Sequence, residues 1–336
     1  MEIKIYIEYN ENIFDVSDVC IGEVILQRTI NEASVLKFNV AKPFNSIKEF
    51  SFFEGDSVWL KYNDKFIFHG YVFSKERDKN QIISVMCYDQ LRYLKNKDNY
   101  YVYYKKASDV IKKICTDYKI ETGIIDDTAF IINKQNFQGK SLIQIILSCL
   151  DITKQNNAKN YTIYDDAGKL CVRDVKNLVM PLLLADTTSM IDYNYKTEID
   201  SDTYNKVKLW RKNKKTKIDS ITVAENSQAQ KKWGVLQYFK RINSDYNSKQ
   251  AKLLAEEILS QKCRERKKLN IICMGTDNGE IDIRGGSTVY IKINNLAELS
   301  VDSMLLTENC IHRFSDNEHI LELTFSEVYN GTFKYY

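Results

Sequence analysis

The sequence predicts an α+β fold in which antiparallel β-structure predominates. Three observations support this class. Short runs of alternating apolar and polar residues fill positions 53–95, two segments near the middle have helical spacing, and alternating runs return after position 269. Side chains alternate across a strand with a period of two, whereas a helix face repeats about every 3.6 residues. The order of these patterns therefore predicts a β region, a mixed α/β region and a second β region.

The first β region spans residues 1–98. Residues 55–62, 66–72 and 82–89 each alternate, and polar residues suited to turns separate them. Residues 23–40 add a hairpin with a polar bend. Together these runs predict a small antiparallel barrel or curled sheet without the residues of a catalytic site, which favours a role in assembly over one in chemistry.

Residues 99–186 predict an inserted α/β domain. Ser108 and Ser141 each precede apolar residues at helical spacing, so each is a candidate helix N-cap. A hairpin with a turn at Asp165, Asp166, Ala167 and Gly168 follows these two helices.

Residues 187–336 form the last predicted domain. It begins with a strand near 203–210, continues with a long helix at about 248–265 that Ser248 caps, and ends with strands between 269 and 328. Part of 187–215 is expected to complete the first β region.

One internal similarity links the two β regions. Residues 55–62 (Gly-Asp-Ser-Val-Trp-Leu-Lys-Tyr) match residues 286–293 (Gly-Ser-Thr-Val-Tyr-Ile-Lys-Ile) position for position in character. Each copy is followed by a turn, an apolar strand, an arginine and a further alternating strand. Two explanations stay open: chance similarity between hairpins, or duplication of one barrel module within the chain.

Composition limits the classes of function. Of 336 residues, 44% are hydrophobic and 28% charged, which is ordinary for a globular protein with a core. The net charge of +3 does not demand a nucleic-acid partner.

No apolar run approaches the length of a bilayer span, and the N-terminus lacks a signal-peptide core, so we expect synthesis and folding in the cytoplasm. The 8 cysteines are scattered singly, which predicts reduced, mostly buried thiols rather than a metal or redox site.

Several motifs resemble ligand-binding or catalytic sites, but each lacks a feature that such a site requires. Gly139-Lys140-Ser141 resembles the end of a phosphate-binding loop, yet Lys134 stands where the loop needs its first glycine. The three histidines, His69, His312 and His319, have no metal-site spacing and are expected on barrel surfaces or interfaces. The pairs Asp126-Asp127 and Asp165-Asp166 fall in polar turns, where solubility explains them better than acid–base catalysis. We therefore predict no catalytic residue, no cofactor and no metal.

Two sets of residues are candidate contact surfaces. A basic run without an intervening acid could face DNA or an acidic partner, or could be a solvated hairpin tip: Lys206, Lys208, Arg211, Lys212, Lys214, Lys215 and Lys217. A second basic cluster lies near the end of the long helix, where lysines also favour the helix C-terminus: Lys262, Arg264, Arg266, Lys267 and Lys268. The aromatic C-terminal segment is a candidate docking tail: Tyr329, Phe333, Tyr335 and Tyr336.

Three motifs follow one another along nearly the whole chain. The first is Gly55-Asp56-x-Val58, Phe68-x-Gly70-x-Val72 and Cys87-Tyr88-Asp89-x-x-x-Tyr93-Leu94. The second is Phe137-x-Gly139-Lys140-Ser141-Leu142 with Tyr161-x-Ile163 and Gly168-Lys169-Leu170. The third is Tyr204-Asn205-x-Val207, Trp233-Gly234-Val235-Leu236-Gln237, the helix Ala251–Leu259 and Ile283-Arg284-Gly285-Gly286. In this order the motifs resemble the XkdQ/YqbQ family of hub proteins from contractile phage tails and phage-tail-like bacteriocins.

This resemblance implies a structural baseplate hub with two tube-like β-barrel modules and an inserted α/β domain. It implies a homotrimer ring in the assembled particle that joins the tail tube to a central spike and leaves a channel. The implied partners are the tube protein, the spike, a LysM-type tail protein and the tape-measure protein, with DNA only as passing cargo if the particle is a phage, and no membrane. The implied location is the bacterial cytoplasm during assembly and then the phage or bacteriocin particle.

Two alternatives from other classes stay open. One is a cell-wall-degrading tail enzyme or its carbohydrate-binding module, which a muropeptide release assay would detect. The other is a nucleic-acid-binding protein, which depends only on the basic runs.

Overall fold

The computed structural model describes residues 2–41, 51–212, 219–244, 246–276, 279–294, 301–315 and 318–326. Strands β1 to β21 are, in chain order, Ile3–Tyr9, Asn12–Asp15, Cys20–Thr29, Val35–Ala41, Ser57–Tyr62, Lys65–Arg77, Ile82–Tyr88, Lys97–Lys106, Thr122–Ile125, Ile131–Ser141, Tyr161–Asp165, Leu170–Asp174, Val179–Ala185, Met190–Glu198, Lys206–Lys212, Asp219–Glu225, Gln237–Arg241, Arg266–Met274, Thr288–Ile293, Val301–Ser315 and Glu318–Ser326. Helices α1 to α4 are Ala107–Asp117, Leu142–Asn157, Ser227–Trp233 and Ser248–Lys262. The protein is thus mostly antiparallel β with helices added, as the sequence predicts.

The chain divides into two compact units. Unit 1 comprises Met1–Asn194 and Leu269–Tyr336, and unit 2 comprises Tyr195–Lys268. The chain passes between the units within β14 and again at β18.

One large sheet forms the framework of unit 1. Its strand order is β14-β18-β21-β20-β3-β4-β7-β6-β5-β1-β2, and β19 pairs with both β20 and β13. The β13–β19 pair is parallel, whereas β3, β4, β5, β6, β7 and β20 pair antiparallel. In the part of the chain that the structure describes, this path ends at β2 and β14. Among the described residues, the two β regions share one continuous sheet and no closed barrel is found, so the mainly antiparallel class is confirmed and the barrel shape of the modules stays a prediction.

A core lies against one face of the N-terminal half of this sheet. Alternate residues of each strand point into it, including Leu26, Phe38, Leu60 and Val85, and Phe314 joins them from β20. Each of these five side chains is at most 2% exposed. At about 25 cal/mol per Å² of buried apolar area, such side chains contribute most of the stabilisation of the sheet.

The inserted region builds a separate core inside unit 1. Helices α1 and α2 pack their apolar faces together with β8, β10 and the β11–β12 hairpin, and buried members include Ile111, Ile114, Ile145, Cys149 and Ile163. The β8–β10 pair forms its own two-stranded sheet, and β9, β11 and β12 form a three-stranded sheet.

The helix starts agree with the predictions in part. Ser141 caps α2 with a capping box, because its side chain accepts from the amide of Gln144. The prediction for Ser108 is wrong, since α1 begins at Ala107 with Lys106 in the N-cap position. The amide of Ser108 donates to Thr128 Oγ1 at 3.1 Å, so it needs no local cap.

Unit 2 is a small α/β element. Strand β15 lies between β16 and β17, and α4 packs Ala251 and Ala255 against Val207 and Leu209 of β15. The cap of α4 is Asn247, whose side chain accepts from the amide of Gln250, and not Ser248 as predicted. The helix ends at Lys262, slightly before the predicted end.

The strand pairing differs from the sequence-based boundaries in two places. β13 falls inside the predicted insert, yet it pairs with β19 of the C-terminal β region. In the described residues, no strand of 187–215 pairs with β1 to β7, because β15 pairs with β16 and β17 while β14 pairs with β18. The long helix therefore belongs to a compact unit of its own rather than to a second barrel.

Candidate functional site

The two β regions of unit 1 repeat one strand arrangement. In the first, neighbouring strands follow the order β5-β6-β7-β4-β3, and in the second they follow β19-β20-β21-β18-β14. In each copy one long strand, β6 or β20, pairs with a short strand along its first half and with another along its second half. The chain thus contains the same five-strand order twice.

The repeat extends to single hydrogen bonds. The amide of Gly55 donates to the carbonyl of Val72 at 2.8 Å, and the amide of Gly286 donates to the carbonyl of Thr307 at 2.8 Å. Both glycines have positive φ, +98° and +93°. A register shift follows directly after Val72 in one copy and after Thr307 in the other. The internal similarity in the sequence is therefore a structural repeat and not chance.

The first copy is joined to the second by an antiparallel pairing of β3 with β20. The register runs from Thr29 opposite Asn309 to Val24 opposite Phe314. Thr29 Oγ1 donates to Asn309 Oδ1 at 2.7 Å, and Arg313 contacts Glu23 across the same joint at 3.0 Å. The second half of β20 thus has a strand on both sides.

The equivalent position in the first copy is open. Residues 73–77 of β6 pair with β7 on one side, and no strand of the described residues pairs with them on the other. At the far end of the sheet, β14 is the counterpart of β3, and β18 is the one described strand that pairs with it. Open strand edges of this kind invite pairing with another chain unless they are protected.

Arg28 is a buried cation at the joint between the two copies. It is 5% exposed, and its guanidinium donates to the carbonyl oxygens of Ile67 at 2.6 Å, Ile281 at 2.8 Å and Ile283 at 3.4 Å. Burial, helped by the nearby Arg284, lowers the pKa of Arg28 to about 10, so it stays charged at neutral pH. Arg28 therefore ties β3 to β6 and to the segment that leads into β19.

The insert docks where the two copies meet. Asn31 Oδ1, in the turn between β3 and β4, accepts from the amide of Ile163 at 3.0 Å and from Thr162 Oγ1 at 3.1 Å. Gln90 Nε2 donates to the carbonyl of Gly168 at 2.7 Å and to Asp165 at 2.8 Å. These bonds fix the β11–β12 hairpin of the insert against the first copy.

Arg284 holds the same hairpin from the second copy. Its guanidinium donates to the carbonyl of Asp165 at 3.1 Å and to Asp166 Oδ1 at 3.2 Å, and it lies 4.5 Å from the ring centroid of Tyr164. Asn31, Gln90 and Arg284 thus lock the insert and the two β copies into a three-way junction.

Two carboxyl groups are buried in this junction. Burial raises the pKa of Asp165 to about 6, although hydrogen bonds from Gly168 and Gln90 oppose the shift. Burial and the neighbouring Asp165 raise the pKa of Asp89 well above its usual value. Asp89 accepts from the amides of Ser34 and Leu91, at 2.7 Å and 2.9 Å. Both carboxyls have structural partners, so solvation of a loop does not explain Asp165.

Of the two predicted positions for the histidines, barrel surface or interface, the surface is excluded for two of the three. His312 is 0% exposed and His319 is 2% exposed. Because a carbonyl oxygen only accepts, the 2.9 Å contact with Ile283 assigns the proton of His312 to Nε2, and Nδ1 then accepts from His319 Nε2 at 3.0 Å. Burial and the charge of Arg28 lower the pKa of His312 well below its usual value, so it stays neutral. The half-buried His69 stacks on Trp59 with ring centroids 4.7 Å apart.

The remaining acidic candidates bind neighbouring groups. Asp126 accepts from Arg173 and from the amide of Asp174, at 3.3 Å and 2.8 Å, and Asp127 accepts from Lys106 at 2.7 Å. Among the described residues, no group of three potential ligands is arranged to hold a metal ion. None of the described helices combines the length and hydropathy that a bilayer crossing requires.

The described part of the predicted basic run lies on β15. Lys206 contacts Glu225 at 3.5 Å, and Arg211 donates to Ser220 Oγ at 2.7 Å. Lys208 is half-buried and Lys212 is exposed. In the second cluster, Arg266 contacts Asp202 at 2.6 Å, as does Lys262 at shorter range. Lys214, Lys215 and Lys217 lie outside the described residues, as do Tyr329, Phe333, Tyr335 and Tyr336 of the predicted docking tail.

Sequence reasoning missed the residues of the junction. Arg28 follows Val24 and Leu26 at every second position of β3, so its side chain points to the same core-facing side of the strand. An arginine at such a position could have indicated a buried, hydrogen-bonded cation. Asn31 and Gln90 carried no comparable signal, because their partners are distant in sequence.

Comparisons with known proteins agree with this architecture. A family model described as YqbQ-like matches residues 25–326. The uncharacterized protein YqbQ of Bacillus subtilis (strain 168) is 32% identical over 276 residues, which is 82% of each chain. The phage-like element PBSX protein XkdQ of the same strain is 30% identical over 277 residues, again 82% of each chain.

A solved structure shows the same fold at low sequence identity. The 43 kDa tail protein of prophage MuSo2 from Shewanella oneidensis has a TM-score of 0.68 and 11% identity, with 96% of this chain and 98% of that chain covered. The family model covers most of the chain, and the two relatives are 32% and 30% identical over 82% of their length. This chain therefore belongs to the YqbQ-like family.

Proposed function

We propose that this protein is a structural subunit of a contractile-tail baseplate hub and has no catalytic activity. One observation carries the proposal: among the described residues, the repeated five-strand order leaves two edges without a neighbouring strand. We call β14 the donor edge and residues 73–77 of β6 the acceptor edge. Its relatives include a phage-like element protein and a prophage tail protein, which supports a place in a tail particle.

The repeat suggests how copies of the chain would join. Within one chain, β3 of the first copy pairs with the second half of β20 in the second copy. If the same contact recurs between chains, β14 of one subunit pairs with residues 73–77 of β6 in the next. Each subunit then contributes its β14 edge to one neighbour and its β6 edge to the other. Such a heterologous contact closes into a ring when the rotation between neighbouring subunits is a whole fraction of a full turn.

A closed trimer would contain six β modules around one axis. Such a ring presents sixfold-like contacts to a tail tube and threefold contacts to a spike, so it would adapt one symmetry to the other. Ring closure would also remove the two open edges that otherwise favour aggregation. The tube protein, the central spike, a LysM-type tail protein and the tape-measure protein are the proposed partners.

The uncovered face of the sheet suits the wall of a channel. A row of side chains crosses six strands on this face, running Ile320, Arg313, Ile25, Lys37, Met86 and Ser74. Arg313 contacts both Glu23 and Glu322, and Ser84 Oγ lies 2.8 Å from Asn39 Oδ1. Paired charges and short polar groups would let DNA or protein cargo pass without tight binding. The basic run on β15 and the aromatic C-terminal segment stay proposed contacts with partners.

Disulfide trapping tests the ring contact. We would introduce Ser74→Cys on the acceptor edge together with Ile191→Cys, Asp192→Cys or Tyr193→Cys on the donor edge, each in a Cys20→Ser background. Mild oxidation should give covalent dimers and closed trimers for at least one donor position, in the purified chain at high concentration or in assembled particles. The matched control replaces Ser74→Cys with Ser84→Cys, because Ser84 lies on β7 with a strand on both sides.

Two results would contradict the proposal. One is equal cross-linking of the Ser84→Cys control, which would indicate random collision. The other is release of muropeptides from cell walls by the purified chain, which would favour the enzyme alternative.

A further inference from the structure

The β8–β10 ribbon of the insert turns an aromatic face to solvent. Tyr100 and Val102 point into the insert core, whereas Tyr101 and Tyr103 point outward and are 56% and 55% exposed. Their rings are nearly parallel, with centroids 6.1 Å apart and an interplanar angle of 14°. Tyr104, 59% exposed, meets Tyr103 edge-on at 4.5 Å. Rigid, amphipathic tyrosines in such a cluster are typical of binding surfaces.

The same face carries a positive charge at Lys134. This residue lies directly across from Tyr103 in the strand pairing, and its ammonium is 5.6 Å from the ring centroid of Tyr101. Lys105, near the end of β8, is exposed as well and lies opposite the buried Ile132. In the part of the chain that the structure describes, neither lysine has a carboxylate partner, whereas the adjacent Lys106 contacts Asp127 at 2.7 Å. A partner with negative charge would therefore be attracted to this face.

The backbone of the ribbon is also available for pairing. β8 and β10 form a two-stranded sheet, and no further described strand pairs with either. Tyr104 has φ +46°, a left-handed conformation that is unfavourable for a bulky side chain. Such strain persists only where the surrounding structure enforces it, and it concentrates at functional sites.

We propose that the ribbon is a docking site for an extended, acidic segment of a partner protein. The segment would add as a strand to an edge of the ribbon, place apolar side chains against Tyr101 and Tyr103, and pair its carboxylates with Lys105 and Lys134. Main-chain hydrogen bonds supply affinity in this mode, and side-chain contacts supply specificity.

The open edge favours a polypeptide over a glycan or a nucleic acid. Only another strand presents N–H and C=O groups at the spacing of a neighbouring strand, about 4.8 Å away. Stacking sugars or bases would use the tyrosine rings but would leave the ribbon edges unpaired. The site uses no residue of the proposed ring contact, so the two proposals succeed or fail separately.

Fluorescence anisotropy with the full chain tests this site. The probe is a labelled 12-residue peptide that alternates glutamate and valine, and the reference peptide alternates lysine and valine. The acidic peptide should bind at least tenfold more tightly than the basic one, and its affinity should fall as salt is raised. Hydrogen exchange should slow in peptides that cover β8 or β10 when the acidic peptide is bound.

Matched variants distinguish peptide binding at the ribbon from nonspecific binding to exposed lysines and tyrosines elsewhere on the chain. Tyr101→Ser with Tyr103→Ser, and Lys134→Glu alone, should each weaken binding at least fivefold. Tyr246→Ser and Lys249→Glu, at exposed positions of unit 2, should leave binding unchanged. Circular dichroism and thermal melting would show that each variant is folded.

Three results would overturn the inference. The first is the absence of peptide binding by the full chain, and the second is equal loss of binding in the unit 2 controls. The third is tighter binding of a 20-nucleotide poly-dT strand or of chitotetraose through Tyr101 and Tyr103, which would assign the face to another class of ligand.

Discussion

The substitution Gly286→Ala tests whether the insert is held by the junction between the two β copies. Gly286 has φ +93°, and a Cβ at this position would lie 2.7 Å from both Oγ1 and Cγ2 of Thr162 in the insert. Gly55, its counterpart in the repeat, has φ +98° and no atom within 4 Å of the same Cβ position. The two glycines thus share a backbone conformation but differ in their neighbours.

This difference gives an expected magnitude. A left-handed conformation costs an alanine roughly 1–2 kcal/mol, and both substitutions incur that cost. Gly286→Ala must also push Thr162 off its rotamer, at about 0.5–1.5 kcal/mol, and break its bond to Asn31, at about 0.5–1.5 kcal/mol. We therefore expect Gly286→Ala to destabilise unit 1 by about 1–3 kcal/mol more than Gly55→Ala.

Urea-dependent hydrogen exchange in unit 1 measures this difference, since it follows the insert and the sheet separately. A double-mutant cycle with Thr162→Ala should recover part of the extra loss, because it removes the two atoms at 2.7 Å and leaves only the Cβ of residue 162, 3.0 Å from the new methyl group. Equal destabilisation by Gly286→Ala and Gly55→Ala, or strict additivity with Thr162→Ala, would refute the proposed contact.

Two further predictions concern buried charges of unit 1. Arg28→Met should lower the free energy of unfolding by about 2–4 kcal/mol, because it leaves buried carbonyl oxygens without donors, whereas Arg77→Met at an exposed position should change it by less than about 0.5 kcal/mol in urea titrations. The raised pKa of Asp165, about 6, means that the folded state keeps a proton that the unfolded state releases near pH 4. The stability of unit 1 should therefore fall by roughly 1–3 kcal/mol between pH 4 and pH 6 because of this group. Asp165→Asn should remove most of that fall, and an unchanged pH profile for the variant would argue against the assignment.

The sequence predicted local structure well where residues close together in the chain are sufficient to specify a strand, a hairpin or a helix start. The hairpin of β3 and β4 and the run of β5, β6 and β7 follow directly from alternation, and the capping box at Ser141 places the start of α2. The similarity of residues 55–62 to 286–293 left chance and duplication both open, and the matching strand order favours duplication. The predicted N-caps of α1 and α4 were wrong, because neighbouring polar residues compete for the N-cap position.

The sequence alone determined the class of the fold, the similarity between residues 55–62 and 286–293 and the absence of any recognisable catalytic motif, since each is read from residues close together in the chain. The tertiary structure decided that the two β regions share one open sheet, that Arg28 and His312 are buried, and that Asn31, Gln90 and Arg284 clamp the insert. The physical reason is that these features arise from pairing between segments far apart in sequence, such as β3 with β20. A strand edge or a buried donor gives no local sign of which distant partner will satisfy it.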